Sequence, residues 1–222
     1  MSIDINTIDF EESLRRAGGK ILYESIEGRI IRDHETIMTD IHDPEFVCDT
    51  LKVLGIDQCL QFVTKDKAVA MALQELYQLP DCRSCVQAVY TKAEPPLLPE
   101  CDIRRLTQKE VGLTAAYYHP EEDYGEYLAE LIEKGVMWGC FEDGHLAGFI
   151  GIHSEGSMGL LEILPEYRRK GYAYCLEAFI IGWQLAQGWV PFCHVIKDNE
   201  ASLKLQKKLD LTFAPLETYW VY

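Results

Sequence analysis

The stretch Leu161-Glu-Ile-Leu-Pro165-Glu-Tyr-Arg168-Arg169-Lys170-Gly171-Tyr-Ala173 carries the strongest fold signal in the chain. An apolar strand ends at a proline, three consecutive basic residues follow, and a glycine opens an apolar helix. The first backbone N–H groups of a helix have no intrahelical partner, and the helix dipole favours negative charge there. Because glycine has no side chain, a ligand can approach the backbone closely. The segment therefore predicts an anion site, and a solvated basic turn is the alternative.

The charge of the whole chain makes this basic segment an exception. The 222 residues include 21 Lys and Arg against 36 Asp and Glu, which gives a net charge of −15. Nucleic acid is therefore not expected as a partner, because its phosphates would be repelled. The segment is not a Walker A loop, since Gly-x-x-x-x-Gly-Lys-Ser/Thr is absent, and a single glycine at the turn does not make a dinucleotide fingerprint.

The elements around this segment follow a regular order. From residue 102 the pattern predicts a strand, two helices, three meander strands, a helix, a strand, a helix and two terminal strands. The predicted ranges are 102–106, 108–117, 124–134, 136–141, 145–153, 157–164, 171–187, 190–195, 199–209, 211–213 and 217–222. Strands and helices that alternate in this way indicate an α/β (α+β) domain.

The clearest linker is Ala93-Glu-Pro-Pro-Leu-Leu-Pro99, because prolines resist both helix and central strand. We therefore expect an N-terminal α/β domain over 1–92, a Pro-rich linker over 93–101 and a second domain over 102–222. The first part is predicted to contain helices over 10–17, 43–54 and 66–77 and strands over 21–25, 29–33, 59–63 and 85–91. Asp43 is expected to cap the second helix, with Pro44 at its first position.

Two motifs in this order resemble those of the GNAT N-acetyltransferase superfamily. Its motif A has the consensus Arg/Gln-x-x-Gly-x-Gly/Ala, and Arg168, Gly171 and Ala173 occupy the three defining places. The later Asp198-Asn199-Glu-Ala-Ser202 is similar to the family's asparagine at the head of its next helix. The resemblance implies a GNAT acyltransferase fold, with a central mixed and mostly antiparallel sheet flanked by helices.

One further segment, Pro191-Phe-Cys-His194-Val with Asn199 and Ser202, looks nearest the glycine N-acyltransferase-like branch of that superfamily. In this branch the N-terminal half is a degenerate, cofactor-free relative of the same fold. The resemblance therefore implies that residues 1–92 form such a GNAT-like half.

The resemblance implies acetyl-CoA, or another acyl-CoA, as co-substrate and no metal. Backbone N–H groups from Arg169 to Ala173 would hold the pyrophosphate, and the backbone of Leu161 and Ile163 would pair with the pantetheine arm as an added strand. Asn199 would hydrogen-bond the pantetheine, although capping a helix would alone justify an asparagine there. The implied cofactor-binding residues are Leu161, Ile163, Arg168, Arg169, Lys170, Gly171, Tyr172, Ala173, Asn199 and Ser202.

Catalysis needs a base for the amine, donors for the oxyanion and a route for the thiolate to leave. The candidate bases are Glu162, Glu155, His153 and His194. Glu162 is a carboxylate in an apolar strand, where desolvation raises the pKa, and an outward-facing side chain is the alternative. His194 lies in an apolar strand, where a satisfied core histidine is the alternative.

Two positions depart from the family pattern. Many members carry a tyrosine as acid seven residues after the motif asparagine, and this chain has Gln206, which donates a hydrogen bond but no proton. The glycine acyltransferase relatives carry a glutamate where this chain has Ser157. The catalytic residues predicted from the sequence are Glu162, His194 and Gln206.

These observations predict an enzyme that moves an acetyl or other small acyl group from acyl-CoA to the amine of a small molecule or amino acid, by direct attack in a ternary complex. A non-enzymatic acyl-CoA-binding or sensing module is the alternative. The first residues lack the pattern of an export signal and no stretch reads as a membrane span. The eight scattered cysteines favour a reducing cytoplasm. We expect a monomer or homodimer without membrane partners.

Overall fold

A computed structural model describes residues 4–16, 18–59, 61–119 and 124–222 of the chain. The first half holds α1 (Ile8–Arg15), β1 (Gly19–Ser25), β2 (Gly28–Asp33), β3 (Thr36–Thr39), α2 (Pro44–Val53), β4 (Gln61–Thr64), α3 (Lys67–Tyr77) and β5 (Cys82–Val89). The second half holds β6 (Asp102–Arg105), α4 (Val111–Tyr117), α5 (Gly125–Glu133), β7 (Met137–Glu142), β8 (His145–Ile152), β9 (Met158–Ile163), a 3-10 turn (Pro165–Tyr167), α6 (Tyr172–Ala186), β10 (Phe192–Ile196), α7 (Glu200–Lys208) and β11 (Thr212–Val221).

The strands form two sheets. One has four antiparallel strands in the order β6-β7-β8-β9, and the other has seven in the order β1-β2-β3-β4-β11-β5-β10. Among the described strands, β3 and β4 pair in parallel and every other pair is antiparallel. The predicted class, a mixed and mostly antiparallel sheet flanked by helices, is confirmed.

Strands from both halves of the chain share the larger sheet. The terminal strand β11 lies between β4 and β5, where Trp220 pairs with Val63 and Thr218 pairs with Cys85. Strand β5 in turn pairs with β10 on its other side. Hydrogen bonds of the sheet therefore join the segment before the Pro-rich linker to the segment after it.

Local sequence explains most helix boundaries. The Asp43 carboxylate accepts from Phe46 N at 3.0 Å and Pro44 opens α2, as the sequence predicts. Helix α6 has 15 residues and packs its apolar side chains on the core that also contains Trp138, Ile150 and Val195. In the described part of the chain, no helix has both the length and the apolar character needed to cross a membrane.

Several elements differ from the sequence-based expectation. The two predicted terminal strands are a single strand, β11, whose register shifts between Phe213 and Glu217. Pro215 lies in that interval, and a residue without a backbone N–H is tolerated at such a shift. Strand β3 was missed because four residues are too few to show a period, and β5 begins at Cys82 rather than residue 85. Residue 17, the predicted end of the first helix, lies outside the described residues.

Candidate active site

In the described chain, β9 is an edge strand of the four-stranded sheet and β10 is an edge strand of the seven-stranded sheet. The two sheets separate between these two strands. Strand β9 is bulged, because its register against β8 shifts between Phe149 and Gly151. Two residues, Leu160 and Leu161, there oppose Ile150, and Leu160 has a φ of 56°. A bulge leaves backbone groups without a ladder partner and bends its strand. The result is a wedge-shaped opening beside the backbone of β9.

A cavity of about 790 Å³ occupies this opening. Both halves of the chain line it, and the N-terminal half contributes His34, Glu35, Gln61, Arg83 and Cys85. The second half contributes β9, β10, one face of α7 and the aromatic side chains around α5. The N-terminal half is therefore part of the cavity wall.

The glycine that opens α6 has the geometry expected of an anion cradle. Gly171 is the N-cap residue with a φ of 96°, a conformation that side chains disfavour. A Cβ placed there would meet nothing within 4 Å, so the space in front of the helix start is open. Arg169, two residues before it, also has a positive φ of 63°. The first turn of α6, with Tyr172 and Ala173, follows directly.

The basic residues of the cradle are compensated by nearby carboxylates. Arg168 Nε donates to the backbone oxygen of Ile163 at 2.9 Å, and its Nη2 lies 3.0 Å from Glu162. Lys170 Nζ lies 2.8 Å from Glu142. These are exposed ion pairs of little energetic value, which an incoming anion could rearrange. The local positive charge is smaller than the sequence suggests.

The hydroxyl of Tyr172 also donates to Glu142, at 2.6 Å. Hydrogen bonds from Lys170 and Tyr172 lower the pKa of Glu142. The same contact raises the pKa of Tyr172 to about 12. Glu142 of β7 therefore fixes two side chains of the cradle.

The two predicted pantetheine contacts on β9 differ in position. Leu161 lines the cavity, whereas the Ile163 side chain packs against the core beneath α6. Strand β9 is the edge of its sheet, so backbone groups on the side away from β8 can pair with an extended ligand. The Ile163 carbonyl already accepts from Arg168.

One face of α7 points into the cavity. Asn199, Ser202 and Gln206 all line it, and their spacing of three and four residues places them on one side of the helix. The Asn199 Oδ1 atom accepts from Ser202 N at 3.1 Å and so caps α7, as the sequence allows. The amide nitrogen of the same side chain retains the ability to donate to a ligand.

The structure adds one residue that sequence reasoning missed. Glu177 of α6 is 3% exposed and lines the cavity, and Gln206 Nε2 donates to its Oε1 atom at 2.5 Å. Burial raises the pKa of Glu177 to about 7. A carboxylate in the middle of the most apolar helix is a signal that the sequence already carries.

His194 is held on both ring nitrogens. Its Nε2 lies 2.8 Å from Gln87 Oε1, and Trp220 Nε1 donates to its Nδ1 at 3.1 Å. An imidazole whose Nδ1 lone pair is used and whose Nε2 carries the donated proton has no free acceptor. This is the satisfied core histidine that the sequence offers as the alternative. The geometry disfavours His194 as a base, a role that stays a prediction.

Glu162 is also placed unlike a base. Its side chain is 28% exposed, forms the ion pair with Arg168 and lies outside the set of described residues that line the cavity. The desolvation on which its base role depended is therefore missing. This corresponds to the outward-facing alternative.

His153, which follows β8, faces the cavity. Its Nδ1 lies 3.0 Å from the Tyr127 hydroxyl, and its ring packs over Gly159 of β9, where a Cβ would come within 2.3 Å of Nε2. Burial lowers the pKa of His153, so the ring is neutral near pH 7. Glu155 lies close by and accepts from the Ser157 hydroxyl. Of the four candidate bases, His153 combines neutrality with contact to the cavity.

Three glutamates of α5 lie on its polar face. Glu126, Glu130 and Glu133 are all exposed, as expected for the polar side of an amphipathic helix. Glu130 nevertheless lines the mouth of the cavity, where its carboxylate lies 2.6 Å from Lys134. Within the described ranges, no group of three or more His, Cys, Asp or Glu side chains is placed to hold a metal ion.

Comparison with known proteins adds to this geometry. Residues 103–210 match the model of the Acetyltransferase (GNAT) family. No curated protein matches the chain. A solved Drosophila structure is 17% identical, with a TM-score of 0.69 over 99% of this chain and 82% of that one. A GNAT-family acetyltransferase from Colwellia psychrerythraea is 18% identical, with a TM-score of 0.56 over 100% of this chain and 91% of that one.

A tandem GNAT protein from the clavulanic acid biosynthesis pathway, solved without acetyl-CoA, is 12% identical, with a TM-score of 0.52 over 97% of this chain and 87% of that one. Identities this low show a shared fold alone. The family-model match relates the second half of the chain to the GNAT family. Family and fold support acyl transfer from acetyl-CoA in general. Residues 103–210 therefore match the Acetyltransferase (GNAT) family, and the fold of the whole chain is similar to that of solved GNAT proteins.

Proposed function

We propose that the protein is an N-acyltransferase that moves an acetyl or other small acyl group from acyl-CoA to the amine of a small molecule or amino acid. The observation that carries this proposal is the cavity between β9 and β10, which brings a bulged strand edge, the polar face of α7 and the neutral His153 to one space. The amine attacks the thioester directly in a ternary complex, without a covalent enzyme intermediate.

The cradle and the strand edge would bind acyl-CoA. Backbone N–H groups from Arg169 to Ala173 bind the pyrophosphate, helped by the open space in front of Gly171. The pantetheine arm then runs along the free edge of β9 past Leu161 and hydrogen-bonds to Asn199 of α7.

His153 accepts the proton of the attacking amine. When Nδ1 carries the imidazole proton and donates to the Tyr127 hydroxyl, Nε2 is left as the acceptor. A neutral imidazole that contacts the cavity is suited to this role at neutral pH. A bulge takes backbone groups out of the ladder, so a backbone N–H at Leu160 or Leu161 is positioned to stabilise the oxyanion.

The acceptor enters from the side formed by the N-terminal half and α5. Carboxylates of Glu35 and Glu130 and aromatic rings of Tyr118, Tyr124 and Tyr127 line that part of the cavity. Carboxylates and aromatic faces both favour an ammonium group. We therefore propose a small amine or amino acid as the acceptor, handled by a member of the glycine N-acyltransferase-like branch.

Calorimetry with acetyl-CoA tests the cradle. The Gly171→Glu variant places a negative side chain where the pyrophosphate would bind. We therefore expect its affinity for acetyl-CoA to be at least tenfold lower than that of the wild type. The matched control is Gly188→Glu, because Gly188 lies just past the other end of α6 with a φ of 73° and nothing within 4 Å of a Cβ. Equal binding by Gly171→Glu and the wild type, or loss in both variants, would contradict the cradle.

A thiol-release assay with a panel of amines tests the transfer. Turnover with an acceptor that greatly exceeds slow hydrolysis supports the acyltransferase. Tight acetyl-CoA binding with no acceptor-dependent release would support the second candidate, an acyl-CoA-binding or sensing module. That candidate is favoured by one observation, since Gln206 stands where many relatives place an acid.

A further inference from the structure

Glu177 and Gln206 form an incompletely satisfied polar pair in the wall of the cavity. They lie on α6 and α7, are 3% and 2% exposed, and share one hydrogen bond of 2.5 Å. Within the described structure, Glu177 Oε2 and Gln206 Oε1 are buried without a hydrogen-bond partner. Buried polar atoms are nearly always paired, so two unpaired oxygens beside a cavity indicate a place for a ligand donor or acceptor.

The position of the pair relates it to the sulfur of acyl-CoA. Gln206 lies seven residues after Asn199 on the same face of α7, and Glu177 lies six residues after Gly171 along α6. The cavity that contains this pair is also lined by Leu161 of β9 and Asn199 of α7, so a ligand held at the start of α6 and extended along β9 reaches the pair. Glu177 is therefore within the cavity wall beyond the cradle, in the direction of the reacting end.

We propose that Glu177, held by Gln206, is the proton donor to the departing thiolate. The inference rests on the proposed acyltransferase function and deepens it. The amine nitrogen forms its bond to the acyl carbon and gives a proton to His153, while the carbon–sulfur bond breaks. The sulfur takes the proton of the Glu177 carboxyl. When the products leave, the Glu177 carboxylate regains a proton from solvent and the His153 imidazolium releases one to solvent. The products are an amide and a free thiol, so atoms and charges balance.

The protonation state of Glu177 agrees with this role. Burial raises its pKa to about 7, although the hydrogen bond from Gln206 opposes the shift. The titratable group that faces it from β10 is Cys193, whose pKa burial raises well above its usual value and which is therefore neutral. A substantial fraction of Glu177 thus carries the proton near pH 7. A group that donates at the operating pH needs a pKa in this region.

The Glu177→Gln variant tests the proposal, because it keeps shape and hydrogen bonding and removes the acid. We expect kcat to fall about 100-fold, at the low end for acid–base catalysis since a thiolate leaves moderately well unaided. The affinity for acetyl-CoA should stay within about threefold, and the basic limb of the kcat profile near pH 7 should disappear. An unchanged kcat and an unchanged limb would overturn the proposal.

Gln184→Met is the matched control, because Gln184 is a second buried residue of α6 with an unpaired oxygen and lies outside the cavity lining. Its kcat and pH profile should match the wild type. If Gln184→Met lowers kcat as much as Glu177→Gln does, the effect is structural and the proposal fails.

Two readouts need no turnover. The folded state binds the Glu177 proton more tightly than the unfolded state, so this group destabilises the protein progressively as pH rises from about 4.5 through 7. Glu177→Gln should therefore have a higher melting temperature than the wild type between pH 5 and 8.

The infrared band of the protonated Glu177 carboxyl is the second readout. This band should be absent in Glu177→Gln and should shift when coenzyme A binds the wild type. A wild type without turnover for any amine would refute the acyltransferase, whereas an unshifted band would refute Glu177 contact with the thiol.

Discussion

Two buried polar regions of this molecule differ in one respect, the completeness of their hydrogen bonding. In the first, Lys65 Nζ donates to Asp9 at 2.6 Å, to Thr218 at 2.9 Å and to Gln87 at 3.1 Å, which uses all three of its protons. Gln87 also contacts His194 and donates to the Ile5 carbonyl. In the second region, around Glu177, buried oxygens have no partner in the described structure.

The difference separates a structural network from a functional one. The Lys65 network joins α1, β5, β10 and β11 to the residue that follows β4, so it holds the shared sheet together across both halves of the chain. A fully satisfied buried network rigidifies a core, whereas unsatisfied groups mark places that await a partner. We therefore expect the catalytic groups where incomplete hydrogen bonding coincides with the cavity lining, which includes Glu177 and leaves out Gln184.

The largest expected effect is on stability, from Lys65→Met. Burial alone would raise the pKa of Asp9, but Lys65 and His194 together outweigh burial and keep that pKa low. The change leaves Asp9, at 0% exposure, without its ammonium partner. Breaking a buried pair costs about 3–5 kcal/mol, which denaturant unfolding should detect. The control Lys92→Met removes an exposed pair with Asp210 and should leave the free energy of unfolding close to that of the wild type.

A double variant sharpens this test. Asp9→Asn with Lys65→Met removes both charges, and it should recover part of the lost stability because no unpaired charge remains. If Lys65→Met is as stable as Lys92→Met, the network does not support the sheet and the comparison collapses.

The next effect separates His153 from His194, two of the histidines that line the cavity. His153→Asn should lower kcat about 10²–10⁴-fold because it removes the proposed base, and it should leave unfolding nearly unchanged. His194→Asn should cost about 1–3 kcal/mol of stability by leaving the Trp220 and Gln87 partners poorly paired, with kcat nearly intact.

The pH dependence of kcat/KM gives a second test of His153 as the base. Because burial lowers the pKa of His153, the acidic limb of kcat/KM should lie below the ordinary histidine value of about 6.5. A His194→Asn enzyme that loses turnover while unfolding normally would restore the sequence-based assignment of His194.

Sequence alone predicts the second half of the fold well and the first half less well. The glycine turn at the start of α6, the Asn199 cap and the order of elements all depend on residues close in the chain, which local patterns reveal. The insertion of β11 between β4 and β5 depends on pairing between residues far apart, such as Trp220 and Val63. No local pattern carries that information.

The same distinction between local and long-range information explains which buried polar residues could be predicted from the sequence. Lys65 stands in Thr64-Lys65-Asp66, which looks like a surface turn, and its burial appears only when α1 and β11 are in place. Glu177 was visible as an acid in an apolar helix, but its neighbour Gln206 is 29 residues away in sequence. Burial of a polar residue can be suspected from sequence, whereas its partner is supplied by the tertiary structure.

The smallest effect belongs to Glu162→Gln, which tests the sequence-based choice of base. Glu162 is partly exposed and paired with Arg168 on the outer side of β9, so its loss should change kcat less than about threefold. The change frees Arg168 from its partner and makes the cradle more positive, so the KM for acetyl-CoA should stay equal or fall slightly at low ionic strength. Steady-state kinetics at two salt concentrations measure both quantities, since a released surface charge acts less at high salt. A kcat loss comparable to that of His153→Asn would instead mean that Glu162 reaches the amine, and that incomplete hydrogen bonding is a poor guide to the catalytic groups of this cavity.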